Sequence, residues 1–175
     1  MWSSLVLLLL AQPVSNAKLL SGPPVGATAP ALQLVDTQGR PQTFTTLAGP
    51  NGLLLAFLPS ADWCPYCKAQ LVELEQQRAA FARRGIHIAA LTNESPALLA
   101  NFARRRNIRF PLLSDSGSRT ISAFGLRNDA YAPGHEWHGI PHPGVIVLDR
   151  SGKVRAKYFE TDYRERTTAA RILGS

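Results

Sequence analysis

A chain of 175 residues has room for one domain of ordinary size and its core, with little left for a second. Its balance of 45% hydrophobic and 18% charged residues excludes the disordered, collagen-like and coiled-coil classes. The formal charge of +7 favours acidic partners through long-range steering. The basic residues are nevertheless scattered, as Arg83-Arg84, Arg104-Arg105-Arg106 and Lys153 to Lys157, at what read as helix ends and a hairpin, and no recognition motif accompanies them, so nucleic acid is not expected as a partner.

Leu5 to Leu10 form an apolar run too short to span a bilayer, followed by Pro13 and the small-x-Ala pattern Ser15-Asn16-Ala17. Residues 1–17 are therefore read as a signal peptide, although no Lys or Arg precedes the apolar run, and residues 18–175 as the folded domain. On that reading the mature protein works outside the cytoplasm, periplasmic or secreted, with no membrane span left after cleavage; without a signal it would be cytoplasmic.

Residues 21–31 are rich in Gly, Pro and Ala, which suits an extended lead-in. Leu32 to Val35, the turn Asp36-Thr37-Gln38-Gly39 and Thr43 to Thr45 read as a small hairpin, and Leu53 to Leu58 as a strand buried on both faces. After Cys67 the period becomes helical, with Leu71, Leu74, Arg78 and Phe81 on one side and Gly85 as the stop. Ile86 to Leu91 is the next strand. Ser95-Pro96 supplies a cap and a first-turn proline for a helix that buries Leu98, Leu99 and Phe102. A short strand at Phe110 to Leu113 leads to a helix capped by Ser118, carrying Ile121 and Phe124. Val145 to Leu148 and Lys153 to Phe159 flank the turn Asp149-Arg150-Ser151-Gly152, and a last helix is expected from near Arg164. The alternation predicts an α/β domain, a mixed sheet with helices on both faces.

The only two cysteines, Cys64 and Cys67, lie at the junction of the buried strand and the first long helix. A bridge across so short a loop adds little stability, so its value lies in chemistry. The free amides and dipole of the first helical turn stabilise a Cys64 thiolate, the attacking form, while Cys67 about one turn inside resolves a mixed disulfide. Pro65 at the first helical position sets the turn, Trp63 shields one side of the sulfur, and Lys68 adds charge nearby. Trp63, Pro65 and Tyr66 are thus candidate substrate-binding or supporting residues. Pro143 joins them: in Ile140-Pro141-His142-Pro143, just before a strand, a cis-proline at 141 or 143 would set its backbone beside the sulfur for an extended substrate, whereas a trans proline would only end the loop. His135, His138 and His142 share that loop, which leaves open a metal-binding module built with the cysteines. His87, alternating with Ile86 and Ile88, reads as a surface or satisfied residue. No nucleotide, flavin or haem motif is visible, and no dedicated cofactor is expected.

The stretch Ala61-Asp62-Trp63-Cys64-Pro65-Tyr66-Cys67, together with 110–115, 123–126 and 145–154, resembles the thioredoxin superfamily and its peroxiredoxin-like branch, the alkyl hydroperoxide reductase and thiol-specific antioxidant family. The similarity covers about residues 24 to 170, and Asp162-Tyr163-Arg164 is similar to cysteine-pair members of that branch. It implies a thioredoxin-like fold, a Cys64/Cys67 pair cycling between dithiol and disulfide, and an external thiol or thioredoxin-like electron donor. Typical peroxiredoxins carry Thr or Ser three residues before the attacking cysteine and an Arg at the start of the late strand; here Ala61 and Pro143 stand there, as in thioredoxin-like disulfide reductases. Lys68, Arg119 and Arg127 are only distant candidates for the missing charge. Two enzyme readings follow, antioxidant reduction of a hydroperoxide or reduction of a protein disulfide, beside the non-catalytic metal module.

Overall fold

The computed structural model describes residues 22–174; the apolar run and cleavage pattern of the first 17 residues lie outside the described residues. Seven strands and five helices follow in chain order: β1 (Leu34–Val35), β2 (Pro41–Gln42), α1 (Phe44–Leu47), β3 (Gly52–Phe57), α2 (Pro65–Arg83), β4 (Ile86–Thr92), α3 (Pro96–Arg106), β5 (Leu112–Ser114), α4 (Arg119–Ala123), β6 (Gly144–Asp149), β7 (Val154–Tyr158) and α5 (Ala169–Leu173).

The strands form one mixed sheet. β2, β1, β5 and β4 lie side by side, with β4 and β5 parallel; β3, β6 and β7 are antiparallel neighbours, Leu55 opposite Ile146. β3 joins the two halves by running in the same direction as β4, with Asn51 N donating to Gly85 O at 2.8 Å and Leu58 N to Leu91 O at 3.0 Å. The two-residue period of a strand divides β3 between the faces. Leu54, Ala56 and Leu58 pack with α2, α3 and α5, whereas Leu53, Leu55 and Phe57 pack with Ile121, Phe124 and Leu126 around α4. All six are essentially inaccessible, as the continuous apolar run requires. Helices on both faces of a mixed sheet make the thioredoxin-like fold expected of the chain.

α2 ends where expected. Gly85 takes φ 70°, and a side chain there would collide with Asn51 Nδ2, so the left-handed turn and the close approach both demand glycine. Ser95 caps α3, its side chain accepting from Leu98 N, with Pro96 in the first turn.

Three local expectations are corrected. The second strand of the first hairpin is Pro41–Gln42, not residues 43–45, because Thr43 and Thr46 form a reciprocal capping box that starts α1. Ser118 precedes α4 but does not cap it: at φ 51° its hydroxyl donates instead to Gly139 O at 2.8 Å. Asp115 does the capping, its carboxylate accepting from Arg119 N and Ile121 N at 3.0 and 2.8 Å; burial nevertheless pushes this carboxyl above its ordinary range. The last helix starts at Ala169 rather than near Arg164, because Thr168 provides the cap and Glu73 of α2 accepts from Ala169 N at 2.8 Å.

Candidate active site

The C-terminal ends of β3 and β4 lie side by side, and the loops leaving them hold each other. Ser60, fully buried, donates its hydroxyl to the Glu94 carboxylate and accepts from the N–H groups of Asp62 and Trp63 at 2.8 and 3.0 Å. The same carboxylate accepts from Ala61 N at 2.8 Å and from the Thr92 hydroxyl at 3.1 Å. Glu94 thus anchors the turn that delivers Cys64 to α2. Motif reading passed over it, since its signal is only an acidic residue in the loop after a neighbouring strand.

Cys64 is the N-cap of α2. Its backbone is extended, Pro65 occupies the first helical turn, and its Sγ accepts from Cys67 N at 3.2 Å. A sulfur in this position meets the unpaired amides and positive end of the helix dipole. The two cysteines form a disulfide, Cα to Cα 5.3 Å; Cys67 is fully buried and Cys64 nearly so at 3% exposure. Lys68 turns away to donate to Asp62 O at 2.6 Å.

Two exposed rings next to the pair are each braced by a distant segment. Trp63, 45% exposed, stacks on Trp137 with centroids 5.0 Å apart. Tyr66, 37% exposed, meets Tyr163 edge to face at 6.0 Å. Trp137 had no sequence signal, whereas Tyr163 lies in the Asp162-Tyr163-Arg164 stretch that carried part of the resemblance; both are in irregular chain.

The histidine loop meets the segment before the cysteines through Trp137 stacked on Trp63. His135 Nδ1 accepts from Trp137 N at 3.0 Å, His138 Nδ1 lies 2.8 Å from Tyr131 O, and burial pushes His142 below its usual value against a smaller pull from Asp129. Among the described residues no three His, Cys, Asp or Glu side chains converge as a metal site. His87 is a satisfied residue, its Nδ1 3.2 Å from Leu47 O.

Of the two alternatives left open for the prolines, the structure has the trans one: among the described residues every peptide bond is trans, including those at Pro141 and Pro143. Residues 140–142 are instead tied as an extended pair to 126–128, Asn128 N donating to Ile140 O at 2.9 Å and His142 N to Leu126 O at 2.7 Å. Pro143 stands half-buried just before β6.

A cation reaches the sulfurs from a place the motifs did not suggest. Arg166 Nη2 lies 3.5 Å from Cys67 Sγ and 3.8 Å from Cys64 Sγ. It comes from the irregular segment between β7 and α5, whereas Arg127 pairs with Asp129 at 2.7 Å.

The sequence profile of the AhpC/TSA family matches residues 25–157, most of the chain, including β3, α2 and β4 around the cysteine pair but not the segment that carries Tyr163 and Arg166. The chain belongs to the AhpC/TSA family. It is 27% identical over 132 residues to the thiol-disulfide oxidoreductase ResA of Geobacillus thermodenitrificans, covering 75% of this chain and 67% of that protein. It is 28% identical over 125 residues to the chloroplastic peroxiredoxin Q of Sedum lineare, covering 70% and 66%. The matched stretch thus spans about two thirds of these relatives' length. Among solved structures, peroxidoxin BcpB from Mycobacterium tuberculosis superposes with a TM-score of 0.72 at 23% identity, over 86% of this chain and 94% of that one, a likeness of fold. This member of the family is a thiol-based redox enzyme with a Cys-x-x-Cys pair, for which the family implies thiol donors and peroxide or disulfide substrates. No described helix is long and apolar enough to cross a membrane.

Proposed function

We propose that the protein is a thiol-disulfide oxidoreductase acting on disulfides of partner proteins, with Cys64 as the attacking thiolate and Cys67 as the resolving thiol. The observation that carries this reading is the placement of Cys64 Sγ at the N-cap of α2, accepting from Cys67 N, while Cys67 is sealed one turn inside. In the reduced protein the Cys64 thiolate attacks one sulfur of the substrate disulfide, forming a mixed disulfide and expelling the other substrate sulfur as thiolate. Cys67, losing its proton, attacks Cys64 Sγ, forms the internal disulfide and releases the second substrate thiol. The substrate gains two electrons and the enzyme loses two, which an external dithiol donor restores. Trp63 and Tyr66 offer exposed rings to a polypeptide, Pro65 fixes the turn, and Pro143 borders the strand beside β3. The apolar run Leu5 to Leu10 and the pattern ending at Ala17 support a site of action outside the cytoplasm.

Hydroperoxide reduction is the second reading, favoured by the 28% identity to peroxiredoxin Q and opposed by Ala61 and Pro143 at the positions where peroxidases carry hydroxyl and guanidinium groups. Stopped-flow oxidation of the reduced protein, followed through Trp63 fluorescence, separates them when hydrogen peroxide and a protein disulfide are run in parallel. Rapid exchange with sluggish peroxide reaction is the expected outcome; fast, saturable reaction with peroxide would establish the second reading instead.

A further inference from the structure

The buried side-chain polar atoms without a hydrogen-bond partner among the described residues are Gln70 Oε1, Thr167 Oγ1 and Arg166 Nε, and all three belong to one junction. Here the segment after β7 crosses α2 just beyond Cys67, with Gln70 Nε2 donating to Thr167 O at 3.4 Å. Orphaned buried polar atoms are rare enough to require an explanation, and a cluster of them beside a redox pair requires a chemical one.

Arg166 is the strongest of the three. A guanidinium keeps its charge at any working pH, yet this one is half-buried and, among the described residues, paired with no carboxylate. Its Nη1 is spent on the carbonyls of Tyr163 and Glu165, while Nη2 faces both sulfurs and Nε faces nothing. Burial works against its charge, with a smaller opposite pull from Tyr66 of α2. The other charged groups near it are already committed: Glu73 of α2 to Ala169 N, and Arg164 of its own segment to Asp162. The segment cannot easily withdraw the guanidinium, because Gln70 and Glu73 hold residues 167 and 169 on α2.

In the disulfide form neither sulfur is charged, so a buried cation faces two neutral atoms. We propose that Arg166 is the built-in counter-cation of the reduced pair, supplying the charge that holds the Cys64 thiolate and so favouring the dithiol form over the disulfide. Reduction by a donor dithiol breaks the Cys64–Cys67 bond, the donor leaving as a disulfide. One enzyme sulfur then takes a proton and the other remains as the thiolate facing Arg166. The effect adds to that of the helix N-terminus and comes from a different part of the chain. The inference rests on the reading of Cys64 as the attacking sulfur.

The test is the pH profile of iodoacetamide alkylation of the reduced full chain, with peptide mapping of the labelled cysteine, alongside redox equilibration against a dithiol buffer. The wild type is expected to titrate below the ordinary thiol value of about 8.5. Arg166→Gln should raise the midpoint by about one unit, the low end of the effect of an opposite charge in contact. It should also shift the equilibrium roughly tenfold toward the disulfide, about 30 mV more reducing. Arg166→Lys should keep most of both effects. An ordinary wild-type midpoint, or a natively folded Arg166→Gln with unchanged midpoint and equilibrium, overturns the proposal; if that variant does not fold, Arg166→Met, which keeps the buried stem, is read the same way. First labelling at Cys67 would sink the assignment of the attacking sulfur, while the comparison of midpoints still judges Arg166.

Discussion

Two regions meet at the sulfurs, the first turn of α2 and the segment from residue 160 to 168, and they are built in opposite ways. The first turn is local: cap, proline, acceptor sulfur and the Lys68 N to Cys64 O bond all fall within five residues. The closing segment has no regular structure, and its guanidinium reaches Cys64 across 102 positions in the chain. The cysteine pair is therefore assembled by short-range rules, while the charge beside it depends on how the chain returns.

Breaking the local half should have the larger effect. Cys64→Ser is expected to reduce disulfide-reductase turnover to the rate without enzyme. Cys67→Ser should instead stall after the first attack, accumulating a mixed disulfide visible as added mass that dithiothreitol removes. Accumulation with Cys64→Ser and not with Cys67→Ser would reverse the two roles.

Glu94→Ala strikes the support of that half. It strips the acceptor from the buried Ala61 N–H and Ser60 hydroxyl, costing about 1–3 kcal/mol in denaturant unfolding. It should also slow exchange, since the turn carrying Cys64 loses its anchor. Unchanged stability would mean that Ser60 alone holds the turn.

The distant half offers smaller handles. Glu73→Ala removes the acceptor for Ala169 N and should cost about 1 kcal/mol, or a melting point lower by about 2–4 °C. Because Glu73 also seats the segment bearing Arg166, the alkylation midpoint of Cys64 should rise in this variant. A stability loss with no movement of the midpoint would separate α5 capping from the sulfur site.

Asp162 gives the smallest signal. Hydrogen bonds and charge from Arg164 hold its carboxyl down to about 2, outweighing a slight opposite effect of burial. A depressed folded value contributes stability above the unfolded carboxylate value of about 3.9, lost as pH falls through about 2. The pair is exposed, so the contribution is small and weakened by salt. NMR titration of Asp162 with a midpoint near 4 would dissolve the pair.

How much could be read in advance follows the same division. The apolar run of β3, the period and glycine stop of α2, and the Ser95-Pro96 start of α3 were legible because each depends on neighbours within a turn or a strand. Thr43, Ser118 and Arg164 misled for a related reason. Thr43, read as the start of a strand, is a helix cap through its exchange with Thr46, while Ser118 and Arg164 looked like a cap and a helix start that Asp115 and Glu73, the last from another element, decided otherwise. The histidine loop read as a metal candidate because its spacing is suggestive, yet the His135 and His138 imidazoles meet Trp137 N and Tyr131 O, and no three such side chains converge among the described residues.

The sequence by itself determined the class of fold and the redox pair, because the strand's apolar run and the cap and proline of α2 act over one strand or one helical turn. Only the tertiary structure decided what surrounds that pair: Glu94 beneath its turn, Trp137 and Tyr163 against its exposed rings, and Arg166 facing its sulfurs. Those groups converge through packing of the sheet and the return of the chain onto α2, and no local spacing encodes such a meeting.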